Sequence, residues 1–440
     1  MHQPNGAMGE LAGGRRGGGR RPASAMTGRR RAGTARTLHL SFMLAIVLVT
    51  LAAGCGSGDD RRPPAPRAQP STSASPSTPA DGASPARPTP TTATGSRGTL
   101  LPGMPPPLDP RDVYAADRPG QLSPVMRRFR PLVYVPNSEA GTVDEIDPRT
   151  YKVVRHFRTG HQPQHVTPSW DLRTLWVDNA GSSTLTPIDP RTGRPGRPVP
   201  VDDPYNLYFT PDGRYAIAVA ERLRRLDFRD PHTMRPRHSL PVPCQGVDHM
   251  DFSADGRYAV ASCEFSSELL KVDVEGQRLL GTLPLRAGAM PQDVKLSPDG
   301  RVFYVADMAS GGVWLVDGDA LKVTAFVPTG RGAHGLYASR DSRVLYVSNR
   351  DEGSISLLSF ATHRVIATWR LPGGGSPDMG GVSADGRVLW LSGRHHRQVY
   401  AIDTRSGRLL ARIPVGAGPH GLCVYPQPGR YSLGHTGVFR

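Results

Sequence analysis

The sequence predicts an all-β protein built as a seven-bladed β-propeller, and three observations carry that prediction. A Pro/Ala-Asp-Gly turn followed by an apolar run recurs along most of the chain. Its copies are spaced by about 42 residues. Each copy holds four short runs of β-type alternation.

The turn and its apolar run read PDGRYAIAVA (211–220), ADGRYAVASC (254–263), PDGRVFYVAD (298–307) and ADGRVLWLSG (384–393), with degenerate copies WDLRTLWVDN (170–179) and RDSRVLYVSN (340–349). The anchors Asp171, Asp212, Asp255, Asp299, Asp341 and Asp385 are separated by 41, 43, 44, 42 and 44 residues, and Gln427 follows 42 residues later. Around Asp299 the four strands are DVKLS, RVFYVAD, GGVWLVD and KVTAFVPTG. A four-stranded sheet of this size cannot bury both faces alone, and radial packing of seven such sheets solves the problem. Innermost strands are expected near residues 165, 206, 249, 293, 335, 379 and 421. The first second-strand pattern, LVYVPN (132–137), precedes all of them. The last innermost strand, GLCVYP (421–426), is therefore expected to pair with LVYVPN and close the ring.

Upstream, the composition changes. Residues 1–54 carry +7 of the +16 formal charge and residues 55–107 carry +2. The remaining +7 is spread thinly, so no basic stripe for nucleic acid exists. Arginines up to Arg36 precede an apolar run of about 14 residues, the build of a secretory signal peptide. Met26 is an alternative start. Leu51-Ala52-Ala53-Gly54-Cys55 looks like a bacterial lipobox, which implies lipidation of Cys55 and anchorage to the extracytoplasmic face of the membrane. Between Gly56 and Arg97 there is no Val, Ile, Leu, Met, Phe, Trp or Tyr. That stretch cannot offset its ordering entropy and is expected to be a disordered tether reaching about 40 Å. The expected organisation is 1–54 signal peptide, 55–107 linker and 108–440 propeller. A monomer is expected.

LVYVPN, VFYVAD and VLYVSN, each followed by a glycine-containing turn and a strand ending in Asp, resemble the YVTN-type repeat of YncE-like bacterial propellers. The resemblance covers about 132–426 and implies the fold. Related propellers include haem d1 domains, amine dehydrogenase subunits and lactonases, so the fold alone leaves the chemistry open.

Candidate functional residues come from position within the repeat. The pairs entering the innermost strands are Gln164-His165, Tyr205-Asn206, Asp248-His249, Gln292-Asp293, His334-Gly335, Asp378-Met379 and His420-Gly421. These loops surround the axis at one mouth. His165, His249, His334 and His420, with Asp248, Asp293 and Asp378, therefore form a candidate ligand or metal site suited to zinc, copper or iron. His165 and His249 stand one register off His334 and His420, so all four converge only where the strand entry is irregular. YSLGHTGVFR (431–440) is expected to fold over one mouth and add His435. Asp147, Asp189, Asp227, Asp273, Asp317 and Asp403 end the third strands and are expected to cap turns.

Gly330-Arg331-Gly332-Ala333-His334-Gly335 fits a dinucleotide fingerprint but leads into a strand, which excludes that role. No CxxCH, HExxH, GxSxG, P-loop or EF-hand pattern occurs. His395 and His396 sit on a turn and are expected to be solvated. Cys244 and Cys263 are a disulfide candidate, and Cys423 a small buried residue. The missing motifs favour a non-catalytic binding module for an envelope protein, peptide or glycan. The alternative is a metal-binding, redox or lactonase-like propeller working at the histidine–aspartate mouth.

Overall fold

The computed structural model describes residues 99–435 and 437–440. The expected signal peptide, Cys55 and nearly all of the linker lie outside the described residues. Seven antiparallel sheets stand around an axis. In blades 2 to 7 the innermost strands are Pro163–Pro168, Pro204–Phe209, Val247–Phe252, Pro291–Leu296, Ala333–Ala338 and Pro377–Val382. Blade 1 takes its innermost strand, Cys423–Tyr425, from the far end of the chain. That strand pairs with Leu132–Asn137, placing Leu132 opposite Tyr425 and Tyr134 opposite Cys423. Ring closure follows the strand count.

The innermost strand of blade 4 is buried at every position, whereas its outermost strand, Arg278–Pro284, alternates between exposed and half-buried. The burial gradient explains why the inner strands read as near-continuous apolar runs. Seven apolar clusters fill the seven interfaces between neighbouring blades, for example Tyr134 and Val143 against Val166 and Val177 between blades 1 and 2. The outer strand of blade 2 is broken into Arg194–Pro195 and Val199–Pro200. Prolines 195, 198 and 200 lack the N–H that a continuous ladder needs. Of the six aspartates ending third strands, Asp147, Asp189, Asp273, Asp317 and Asp403 accept a backbone N–H two or three residues ahead. Asp227 differs: it accepts from Arg225, Arg229 and the Ser239 hydroxyl.

The packed unit starts upstream of the expected boundary at 108. Leu101 is buried, and its N–H donates to the Asp255 carbonyl at 2.8 Å. From there the chain straps across the turns between first and second strands. The Val113 N–H reaches the Pro298 carbonyl, and the Tyr114 hydroxyl reaches the Leu296 carbonyl. Leu101 and Met104 supply the apolar side chains that the sequence from 56 to 97 lacks.

The final residues do more than cover an opening. Ser432–Gly434 pairs with the innermost strand of blade 3 and then with Val438–Phe439. This hairpin occupies the axis from the strapped end, with His435 at its tip. Gly434 has φ +93°, and its Cβ position would lie 2.4 Å from the Leu207 carbonyl oxygen, so only glycine fits there. Among the described residues no helix is long and apolar enough to cross a membrane.

A disulfide joins Cys244 to Cys263 with a Cα separation of 6.1 Å, and Val247 stands opposite Cys263. The bond closes a loop across 19 residues. On the chain-entropy account, Cys244→Ala should cost about 3 kcal/mol. The urea midpoint should fall accordingly. An unchanged midpoint would show that the loop is held by packing alone.

Candidate metal centre at the axis

The histidines converge because the strand entries are bulged. In blade 2 the pairing jumps from Pro163–Asn179 to Val166–Val177, leaving Gln164 and His165 together opposite Asp178. The same jump occurs at 247/250, 291/294, 333/336 and 377/380. A bulge suspends the alternation of side chains for the pair it contains. A histidine in either position can therefore reach the axis. Serines opposite the bulges satisfy the displaced backbone. The N–H of His249 donates to Ser262 Oγ, that of Gly335 to Ser348 Oγ, and that of Met379 to Ser392 Oγ.

The structure brings all four predicted histidines into one ring cluster. His165 lies 5.5 Å from His249 and 5.0 Å from His420, centroid to centroid. His334 lies 6.3 Å from His249 and 5.8 Å from His420. His435 joins from the hairpin tip, 5.0 Å from His165 and 4.6 Å from His249. The cluster is not an open mouth as the sequence suggested: all five rings are at most 2% exposed. The tail closes it from one end, and side chains of the entrance loops cover it from the other.

Each ring lies against a polar neighbour. His165 Nδ1 donates to the Tyr205 carbonyl at 2.9 Å, which leaves Nε2 as a buried lone pair with no hydrogen-bond partner. His420 Nδ1 donates to Asp378 Oδ2 at 2.8 Å, and its Nε2 is likewise unpartnered. His249 Nδ1 lies 2.8 Å from Asp248 Oδ1, out of line for a hydrogen bond. His334 Nδ1 is 3.2 Å from Asp378 Oδ1. His435 sits between Asn206 Nδ2, 3.2 Å from its Nδ1, and Asp293 Oδ1, 3.6 Å from its Nε2. Asp293 also braces two blades by accepting the Leu336 N–H. The nitrogens of His165, His249 and His435 come within 4.8 Å of one another.

Burial is the first influence on these imidazoles. Burial pushes His165, His334 and His435 well below the ordinary imidazole value, and nearby histidines push in the same direction. Burial also lowers His420, to about 4, with Arg394 adding to the effect. Asp248 is raised by burial and by the charges of Asp293 and Asp378. For Asp378 burial acts upward, but His334, His420 and Arg350 together outweigh it and hold the carboxyl well below its usual range.

Sequence reasoning missed the entrance. Glu221, Glu264, Arg350 and Arg394 each directly follow a second strand and stand half-buried above the cluster. Burial raises Glu221 to about 8 and Glu264 to about 7, with Asp248 next in effect. The available signal was positional, since each lies nine residues after a turn aspartate. His395 and His396 are exposed and stand apart from the cluster, with His396 Nδ1 2.8 Å from Ser376 Oγ. Cys423 is buried on the closing strand.

Fold and site together define a seven-bladed propeller with a buried histidine–carboxylate cluster on its axis. A model of the YncE-like β-propeller family matches residues 122–429, and the chain belongs to that family. It is 34% identical over 134 residues to the protein NirF of Pseudomonas aeruginosa, covering 30% of this chain and 33% of that protein. It is 33% identical over 152 residues to a 6-phosphogluconolactonase of Sodalis glossinidius, covering 30% of this chain and 45% of that enzyme. An uncharacterised YncE of Salmonella typhi is 26% identical over 178 residues, 38% of this chain and 49% of that one. The chain thus spans a third to a half of these curated relatives. Among solved structures, hydrazine synthase of Kuenenia stuttgartiensis aligns with TM-score 0.54 at 20% identity, covering 62% of this chain and 92% of the other. The dihydro-heme d1 dehydrogenase NirN in complex with DHE aligns with TM-score 0.53 at 17% identity, covering 72% and 78%. These structures share the fold.

Proposed function

We propose that this propeller is an exported binding protein that holds one transition-metal ion on its axis. The observation that carries the reading is the mutual approach, within 4.8 Å, of nitrogens on His165, His249 and His435. His165, one of the three, is oriented through Nδ1 by a carbonyl with Nε2 left bare, the arrangement that metal sites use. A buried nitrogen without a partner costs free energy, and an ion would recover it. Ring centroids 4.6–6.3 Å apart leave room for an ion and none for a macrocycle between the rings. The lactonase alternative rests on a match to 45% of that enzyme's length. Export and anchorage through Cys55 are supported by the lipobox and by the Cys244–Cys263 disulfide, which persists in oxidising compartments.

The test is calorimetric titration of the chelator-treated full chain with zinc and copper. Wild type should bind one ion. Removing a group that only orients a ligating side chain typically costs 10–100-fold, so a His165→Ala/His249→Ala double variant should lose about a hundredfold or more. Equal binding by both proteins would overturn the reading. The pH profile gives a separate check. Protons compete for an imidazole only below its pKa, and these imidazoles are lowered. Affinity should therefore hold as pH falls through about 6.5, the ordinary imidazole value, and drop only at more acidic pH. A loss centred near the ordinary value would mean that the ligating histidines are solvated.

A further inference from the structure

The two ends of the axis are covered differently. At the strapped end stands the hairpin, whose Tyr431, Leu433, Val438 and Phe439 are buried and whose Arg440 is tied to Asp251. At the loop end the cover is made of half-buried side chains, and it is divided by charge. Arg350 and Arg394 stand on blades 6 and 7, whereas Glu221 and Glu264 stand on blades 3 and 4. After burial, the charge of Asp248 is the strongest influence on Glu221 and on Glu264, and the Tyr205 hydroxyl feels the same three carboxyls. The Tyr205 ring, also half-buried, lies edge-on 5.6 Å from His165 and 6.3 Å from His249. Asp248 itself is wholly buried, and neither of its oxygens has a hydrogen-bond partner. A bare buried carboxyl is costly, and a cation relieves it. Asp248 Oδ1 stands 2.8 Å from His249 Nδ1, which is bare as well. Zinc bonds of about 2.0–2.2 Å place neighbouring ligand atoms roughly 3 Å apart, with no room for water between them. The pair is at ligand spacing, which suits a bare ion and excludes a larger molecule.

We infer that divalent cations reach the axis from the loop end through an acidic entry site, in which Glu221 and Glu264 capture the ion and Asp248, beneath Tyr205, hands it to His249. The inference rests on the metal reading above and adds the route by which that ion arrives. Glu221 and Glu264 are the accessible members, so the ion meets them first. A lasting zinc site uses at least three protein ligands, so an ion held by Asp248 and one imidazole nitrogen moves on to the three-histidine set. The basic half of the entrance repels cations and leaves the acid half as the way in.

The experiment mixes zinc with the chelator-treated, folded full chain and follows uptake in time against a fluorescent zinc indicator, with a second sample refolded in the presence of zinc. Wild type should load while folded, more slowly as ionic strength rises. Glu221→Gln/Glu264→Gln should slow uptake by about tenfold or more, the size of an electrostatic steering effect. Release into a chelator should slow too, so the equilibrium affinity should fall by less than the uptake rate. Each single variant should slow uptake by a smaller factor, and thermal melts establish that the variants are folded. Arg394→Gln removes a charge of the opposite sign and should load at least as fast as wild type. An unchanged uptake rate in the double variant would overturn the entry site, as would equal slowing by Arg394→Gln. Zinc held only after refolding would overturn the entry site and leave the axial metal reading standing. Zinc held by neither wild-type sample would overturn the metal reading, and the entry site with it.

Discussion

A chain lacking residues 420–440 is expected to show no cooperative unfolding transition. The cut removes Cys423–Tyr425, which completes blade 1 against Leu132–Asn137, and with it the axial hairpin. The inner edge of blade 1 would be bare, and Leu422 and Val424 would vanish from the interface between blades 7 and 1. A shorter cut after Gly429 isolates the hairpin. It removes Tyr431, Leu433, Val438 and Phe439, all at most 2% exposed. Burying a large apolar side chain contributes about 1.5–3 kcal/mol, so the four together account for roughly 6–12 kcal/mol. A whole domain has only about 5–15 kcal/mol to lose. Scanning calorimetry on both truncations decides the matter. A 420–440 deletion that melts cooperatively near the full-length temperature would refute this account of closure.

Asp251→Ala is expected to be the most damaging single substitution, at about 3–5 kcal/mol. Asp251 is wholly buried and accepts the Arg440 guanidinium at 2.9 Å through Oδ1 and the Leu296 N–H at 2.8 Å through Oδ2. It therefore ties the hairpin to blade 4 and blade 4 to blade 5. Alanine would leave a buried guanidinium without its counter-charge and a backbone donor unpaired. Asp251→Asn should fall between alanine and wild type, since it retains an acceptor but not the charge. Urea denaturation reads both. A loss below about 1 kcal/mol in the alanine variant would place the Arg440 charge in solvent, outside the range for a buried pair.

The blade count, the strand order and the ring closure were legible because they depend on period and alternation, which a repeat writes into the sequence several times over. His165, His249, His334 and His420 were legible as a group for the same reason. Their actual convergence was not. It depends on bulges at each strand entry, and a bulge leaves no mark on apolar alternation; the only trace is the serine facing it, at 262, 348 and 392. Burial of the cluster was also hidden. The tail sequence suggested a cover, but insertion into the axis rests on Gly434 and on the fit of Leu433 and Phe439 against blades already folded. Glu221, Glu264, Arg350 and Arg394 escaped because the position changes from blade to blade, with Ala180 and Met308 in two others: a repeat advertises what recurs, and the entrance is built from what varies.

Pairing the first strand of the ring with the last has a consequence in time. Leu132 and Tyr425 are almost 300 residues apart along the chain. At about 5–20 residues per second of synthesis, the first strand waits roughly 15–60 s for its partner to exist. Contacts this distant also close slowly once available. Throughout that interval six blades can form locally while the circle stays open, so the polypeptide remains threadable until the closing strand is available. The hairpin follows the closing strand along the chain and is delivered after it, and His435 with it. The axial cluster is thus assembled only on a finished ring, and an ion present at that moment would meet all of its ligands together.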